Sequence, residues 1–267
     1  MWPGSFLTQL VAALDLVALD LGRGPGAGRP VFPARLRCRG RGAALLRMPA
    51  EPLSRPAEPD AAIGVPDAAP PGGTRGRLVV ARHGATLWSR ECRHTGLTDV
   101  PLEDEGKWQA AEIGHRLGGH DFARVLVSPM SRARETCVLA GFGVSAEVCE
   151  DLCEWDYGAY EGRTTLEIRA ERPDWNLWRD GVVDGETLAE VSERANRLVA
   201  LVKSSAGDVL AFAHGHILRV VCARWLDLAP SEAARFVLDP GAIGVLGWEH
   251  EASVVVRWND ASGDPLG

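Results

Sequence analysis

A short run of branched apolar residues, Leu78-Val79-Val80-Ala81, stops abruptly at Arg82-His83-Gly84. It reads as a buried strand that ends on a charged pair, followed by the glycine that a tight backbone turn prefers. The design recurs along the chain. Arg124-Val125-Leu126-Val127 stops at Ser128-Pro129, Ala146 to Cys149 leads toward Glu154, and Asp208 to Ala213 stops at His214-Gly215-His216. Helical spacing fills the intervals: about 105–117 with Trp108, Ala111 and Leu117 along one side, 131–141, 164–172, 187–203 with Leu188, Val191, Ala195 and Leu198 on one face, and 217–226. Gly118-Gly119 and Pro173 mark two of the helix ends. Residues 243–248 and 253–258 read as a closing hairpin, and 87–104 as a polar loop. Strands alternating with helices predict right-handed crossovers and a three-layer α/β/α fold around a mostly parallel central sheet. In such a sheet ligands sit in the crevice beyond the carboxyl ends of the strands, so residues placed at those ends meet substrate rather than core.

The first 76 residues follow a different rule. They are rich in Gly, Pro, Ala and Arg, as in Gly22-Arg23-Gly24-Pro25-Gly26 and Ala68-Ala69-Pro70-Pro71-Gly72-Gly73, and carry no sustained period. They read as a disordered extension with at most a short helix near 5–21. Met48 offers an alternative translation start that would remove 1–47 altogether. Residues 77–260 then form the domain, and 261–267 a flexible tail. A net charge of −7 argues against a general binder of nucleic acid or anionic membrane, yet leaves room for a few arginines gathered around a phosphate. No stretch approaches the roughly 20 apolar residues of a membrane span, and Asp15 and Asp20 interrupt the mildly apolar Phe6 to Leu21. The six cysteines follow no disulfide or zinc spacing and read as the free thiols of a cytoplasmic protein.

Brought to one rim, the strand ends supply Arg82 and His83, Ser128 and then Arg132, Glu154, and His214. That inventory suits a phosphate ester. Two guanidiniums grip non-bridging oxygens and offset the charge of the phosphoryl group in transfer. A neutral imidazole attacks phosphorus, a second imidazole donates to the same oxygens, and a carboxyl group protonates the leaving oxygen. Asp156 is a rival for the last role. The start of the helix after His214 favours an anion through its backbone. No acidic cluster calls for magnesium, and no phosphate-binding P-loop is present, so neither a metal nor a cofactor is expected.

Five segments carry a resemblance: Leu78-Val79-Val80-Ala81-Arg82-His83-Gly84; His94-Thr95-Gly96-Leu97-Thr98-Asp99; Ser128-Pro129-Met130-Ser131-Arg132-Ala133; Glu154-Trp155-Asp156-Tyr157-Gly158-Ala159-Tyr160-Glu161-Gly162; and Ala213-His214-Gly215-His216-Ile217-Leu218-Arg219. In this order the set resembles the histidine phosphatase superfamily, in its phosphoglycerate mutase-like branch, over about residues 77–258. The resemblance implies that His83 is the phosphorylated nucleophile, that Arg82, Arg132 and His214 form the phosphate pocket, and that Glu154 is the proton donor. It also implies that Thr95, Gly96, Tyr157, Gly215 and His216 touch phosphate or the rest of the substrate. The family's first motif often continues to Trp-Asn; here Trp88 is followed by Ser89, a shorter group still able to hydrogen-bond phosphate.

The span from Asp174 through Trp178-Arg179-Asp180-Gly181 to Thr187 is compact, without the longer basic insert of the mutases. It looks more like the phosphatase members of the mycobacterial acid phosphatase and yeast-type sedoheptulose bisphosphatase kind. The expectation is therefore a metal-independent phosphatase acting on small phosphorylated metabolites such as sugar phosphates, most active at mildly acidic pH. Phosphoglycerate mutase-type transfer is the alternative. The family includes monomers and dimers, so a homodimer is admitted. His94, His115, His120 and His250 read as surface or structural groups, and Trp175 and Trp178 as core or substrate contacts with equal claim.

Overall fold

The computed structural model describes residues 75–261, so the expected N-terminal extension, the short helix near 5–21, the alternative start at Met48 and the tail after 261 lie outside the described residues. A six-stranded sheet forms the middle layer: β1 (Leu78–Arg82), β2 (Arg124–Val127), β3 (Ala146–Val148), β4 (Val209–Ala213), β5 (Ile243–Glu249) and β6 (Ala252–Asp260), in the order β3-β2-β4-β1-β5-β6. The first four are parallel, and β5 and β6 close one edge as an antiparallel hairpin. The helices are α1 (Leu87–Arg90), α2 (Asp104–Leu117), α3 (Ser131–Leu139), α4 (Thr165–Glu171), α5 (Leu177–Asp180), α6 (Leu188–Lys203) and α7 (Gly215–Trp225). The expected layered α/β fold is present, with α1 and α5 as short turns that the apolar spacing did not reveal.

Strand periodicity divides the core in two, because successive side chains point to opposite faces. Val79 and Ala81 of β1, Val125 and Val127 of β2, and Leu210 and Phe212 of β4 pack against Ile113 of α2 and Ala133 and Cys137 of α3. Their neighbours Leu78, Val80, Leu126, Val209 and Ala211 pack on the other face against Val191, Ala195 and Leu198 of α6 and Ile217, Leu218 and Val221 of α7. The central strands are thus apolar on both faces, as their sequence read.

The parallel ladder holds the chemistry-bearing ends level. Arg82 is opposite Ala213, Val127 is opposite Phe212, and the next residues continue the pairing, with His83 N–H donating to Ala213 C=O at 2.9 Å and Ser128 N–H to Phe212 C=O at 3.0 Å. Cys137, Cys149, Cys153 and Cys222 are free thiols, whereas Cys92 is disulfide-bonded, a departure from the uniform set of thiols that spacing suggested. Among the described residues no helix is long and apolar enough to cross a membrane.

Candidate active site

His83 leaves β1 4 % exposed, at a turn that demands a glycine next. A Cβ on Gly84 would stand 2.1 Å from the carbonyl oxygen of Gly106, so the loop lies directly on the first turn of α2. Gly84 N–H donates to the Thr136 hydroxyl and Ala85 N–H to Gln109 Oε1, which pins the loop to α3 and α2. His83 Nδ1 lies 2.8 Å from Gly84 C=O. A carbonyl only accepts, so Nδ1 carries the proton and Nε2 keeps its lone pair. Burial, with Arg132 and Arg82 close by, pushes the His83 pKa well below its usual 6.5 and holds the ring neutral.

The two arginines are held differently. Arg132, at the start of α3, is fully buried; its Nε donates to His214 Nδ1 at 3.1 Å, and its terminal nitrogens donate to the carbonyls of Thr98, Gly96 and Thr95. That bond leaves His214 with its proton on Nε2, which faces the Ser128 hydroxyl at 2.7 Å, and the His214 pKa is pushed well below 6.5 by burial and by Arg132. The His83 and His214 rings lie 5.2 Å apart. Arg82 donates through one terminal nitrogen to Leu238 C=O, while its Nε is buried with no hydrogen-bond partner. A buried donor left unpaired costs about 1–3 kcal/mol, which an acceptor entering the site would recover. Gly215 lies beneath this guanidinium; a Cβ there would meet Arg82 Cζ at 3.3 Å.

Glu154 is 4 % exposed and near enough to Arg82 and Arg132 for its charge to act on both. Its carboxylate accepts from the backbone N–H of Trp155, His216 and Ile217, each at 2.9 Å, and so caps α7 from outside the helix. The His216 amide, which the helix start would have offered to an anion, is therefore taken by Glu154. Asp156, the rival acid, is turned to the N–H of Gly158.

Beyond Glu154 the wall is made of rings. Tyr157 and His216 Nδ1 are 2.6 Å apart, and Tyr157 also packs against His94, with ring centroids at 4.8 Å. Trp178 of α5 meets His216 at 5.3 Å and carries the Arg219 guanidinium over its face at 4.7 Å. His94 is 8 % exposed within this wall, so it is a packed structural group rather than a surface one, and burial lowers its pKa to about 4. Trp175 is core at 2 % exposure, and Trp178 is half-buried.

The remaining sequence-selected residues are spent locally. Ser89 forms a reciprocal cap with Thr86 at the start of α1, its hydroxyl donating to Thr86 C=O and accepting from Thr86 N–H. The Thr95 hydroxyl donates to Arg93 C=O, and Gly96 N–H donates to the Glu161 carboxylate. Thr95 and Gly96 nonetheless border the site, because their carbonyls hold Arg132. Arg219, Arg194 and Glu186 were not selected from the sequence. Arg219 lay inside a quoted motif, three residues after His216 on the same helix face, and that spacing was the available signal.

A profile described as the histidine phosphatase superfamily (branch 1) matches residues 78–261. The chain is 46 % identical over 178 residues to a protein named acid phosphatase from Mycobacterium tuberculosis, covering 65 % of this chain and 87 % of that relative. It is 32 % identical over 239 aligned residues to sedoheptulose 1,7-bisphosphatase from Saccharomyces cerevisiae, covering 65 % and 88 %. A solved structure of an open reading frame from Mycobacterium tuberculosis superposes with a TM-score of 0.66 at 42 % identity, over 70 % of this chain and 98 % of that one. On the strength of this profile, these relatives and the shared fold, the chain belongs to the histidine phosphatase superfamily, branch 1.

Proposed function

We propose that residues 77–260 form a phosphatase that hydrolyses small phosphomonoesters, sugar phosphates or similar metabolites, through a phosphohistidine on His83. One observation carries the reading: a neutral His83 with its Nε2 lone pair unspent lies beside a buried, partnerless Arg82 Nε and the Arg132–His214 pair. His83 Nε2 attacks phosphorus as the ester P–O bond breaks, and Glu154 gives its proton to the departing oxygen. Water then attacks the phosphorus, returns a proton to Glu154, and the N–P bond breaks to release inorganic phosphate. Arg82 donates to the non-bridging oxygens through its open Nε, and Arg132 and His214 join it as the phosphate takes over donors now turned to Thr95 C=O and the Ser128 hydroxyl.

Thr95, Gly96, Tyr157, Gly215 and His216 complete the substrate contacts in this reading. Ser89 does so only if its cap at Thr86 opens. The acidic net charge supports an enzyme without nucleic-acid or membrane partners, the reading places it in the cytoplasm although the Cys92 disulfide weighs against a reducing compartment, and it extends to a homodimer.

The test is a panel of phosphomonoesters scored for released phosphate with EDTA present, comparing the wild type with His83→Ala. Release that survives EDTA and vanishes in the variant is expected, with activity retained at mildly acidic pH because His83 stays neutral there. Isomerisation that depends on a bisphosphorylated cofactor, with little net phosphate, would establish the mutase alternative instead.

A further inference from the structure

Glu154 is carried by an irregular segment. Between the 3-10 turn at Glu150–Leu152 and the one at Gly158–Tyr160 no helix or strand fixes the backbone. What fixes it comes from α6. A guanidinium has five N–H donors, and Arg194 makes five hydrogen bonds. On one edge Nε and Nη2 form a fork to the Glu186 carboxylate at 2.7 and 2.8 Å. On the other, Nη1 donates to Asp151 C=O and Cys153 C=O, both at 2.9 Å, and Nη2 to Glu154 C=O at 3.4 Å.

Glu186 then holds the far side of the same segment. Its Oε2 accepts from Asp156 N–H, its carbonyl accepts from the Trp155 indole, and its N–H donates to Asp156 C=O. Residues 151, 153 and 154 are thus gripped by Arg194, and 155 and 156 by Glu186. The pair is 12 % and 23 % exposed, too enclosed for solvent to screen it as it would a surface ion pair.

Packing alone does not explain so many polar contacts. The inner face of α6 is already filled by Val191, Ala195, Leu198 and Val202, and the clamped segment delivers the carboxylate whose charge acts on Arg82 and Arg132. We propose that Arg194 and Glu186 act as a positioning pair for the proton donor Glu154, a role that rests on the phosphatase reading above. Neither side chain touches substrate. A carboxyl group displaced by about 1 Å loses much of its value as an acid.

Leaving-group dependence separates this role from a structural one. An aryl ester such as p-nitrophenyl phosphate releases a phenolate that needs no proton, whereas glycerol 2-phosphate releases an alkoxide that does. Because kcat/KM reports the first phosphoryl transfer whatever limits turnover, it is the quantity to compare. Glu154→Gln is expected to lose about 100-fold or more on the alkyl ester and far less on the aryl ester. Arg194→Met should lose about tenfold on the alkyl ester and less than about threefold on the aryl one. Arg194→Lys, which keeps the charge and part of the bonding, should recover most of the loss. In the double variant Glu154→Gln with Arg194→Met the alkyl-to-aryl ratio should be no worse than in Glu154→Gln alone.

If Arg194→Met does not fold, Glu186→Gln carries the same test, since it weakens the fork and keeps the shape. Equal losses on both esters, or a ratio that falls further in the double variant, would overturn the positioning role. A flat ratio in Glu154→Gln itself would overturn the proton-donor assignment and the positioning role with it, while leaving the phosphatase activity to be judged on released phosphate.

Discussion

At the strand tips, Ser128, Arg132 and His214 spend their polar atoms on one another and on the carbonyls of residues 95–98, at the ends of strands locked in one ladder. Another wall is built of rings: Tyr157 at the cap of a 3-10 turn, Trp178 on a four-residue helix, His216 in the first turn of α7, and His94 from the irregular stretch after α1. In the proposed reading the difference separates two tasks. Transfer chemistry needs donors held to fractions of an ångström, and parallel strands do that with backbone bonds. Contact with the remainder of a substrate tolerates change, and short elements packed through rings can vary there without disturbing the tips.

Substitution of the two arginines tests that division most severely. Arg132→Met should lose both activity, by about 10³-fold, and stability, by roughly 3 kcal/mol, because it strands His214 and three carbonyls in a buried site. Arg82→Met should lose activity about as heavily yet change stability by less than about 1 kcal/mol, since only the bond to Leu238 C=O goes and an orphaned donor is removed. Calorimetry beside phosphate-release assays checks both. Equal destabilisation by the two would erase the distinction between a built-in tie and a donor waiting for substrate.

Protonation probes both regions at once. His83, His214, His94 and His216 all have pKa values lowered by burial, so between the folded and unfolded values the unfolded chain binds more protons. Stability is therefore expected to fall as pH drops below about 6.5. For His94, lowered to about 4, the loss by pH 5 comes to about 2 kcal/mol. Melting curves at pH 7.5 and 5 should show the fall, and His94→Phe, which keeps a ring and takes no proton, should remove part of it. A melting temperature independent of pH would contradict the neutral packing of these rings.

The smallest expected effect belongs to the wall. Trp178→Ala removes the platform under Arg219 and should raise KM for sugar phosphates about fivefold with kcat little changed. A fall in kcat alone would instead make the wall part of the transfer machinery.

Legibility in the sequence follows the same division. The apolar runs that stop at His83, Ser128 and His214 were readable because a strand buried on both faces leaves an unbroken apolar signal and ends sharply. The antiparallel β5–β6 edge was readable as two short apolar runs, 243–248 and 253–258, close together in the chain. The helices α1 and α5 were not, since four residues carry too little period. The Thr86–Ser89 cap explains why Ser89 is bonded to its own backbone, a local competition that the residue type alone does not announce. The burial of His94 and the Arg194 clamp were hidden for another reason: both depend on segments far apart in the chain, with Arg194 reaching back 43 residues to Asp151.

The most direct measurement is to trap the intermediate. A labelled phosphomonoester mixed with the enzyme and quenched in alkali, where phosphohistidine survives, is followed by peptide mapping. The account predicts acid-labile phosphate on the peptide at His83, absent from His83→Ala together with turnover. Label on a different residue, or full turnover in His83→Ala, would contradict it.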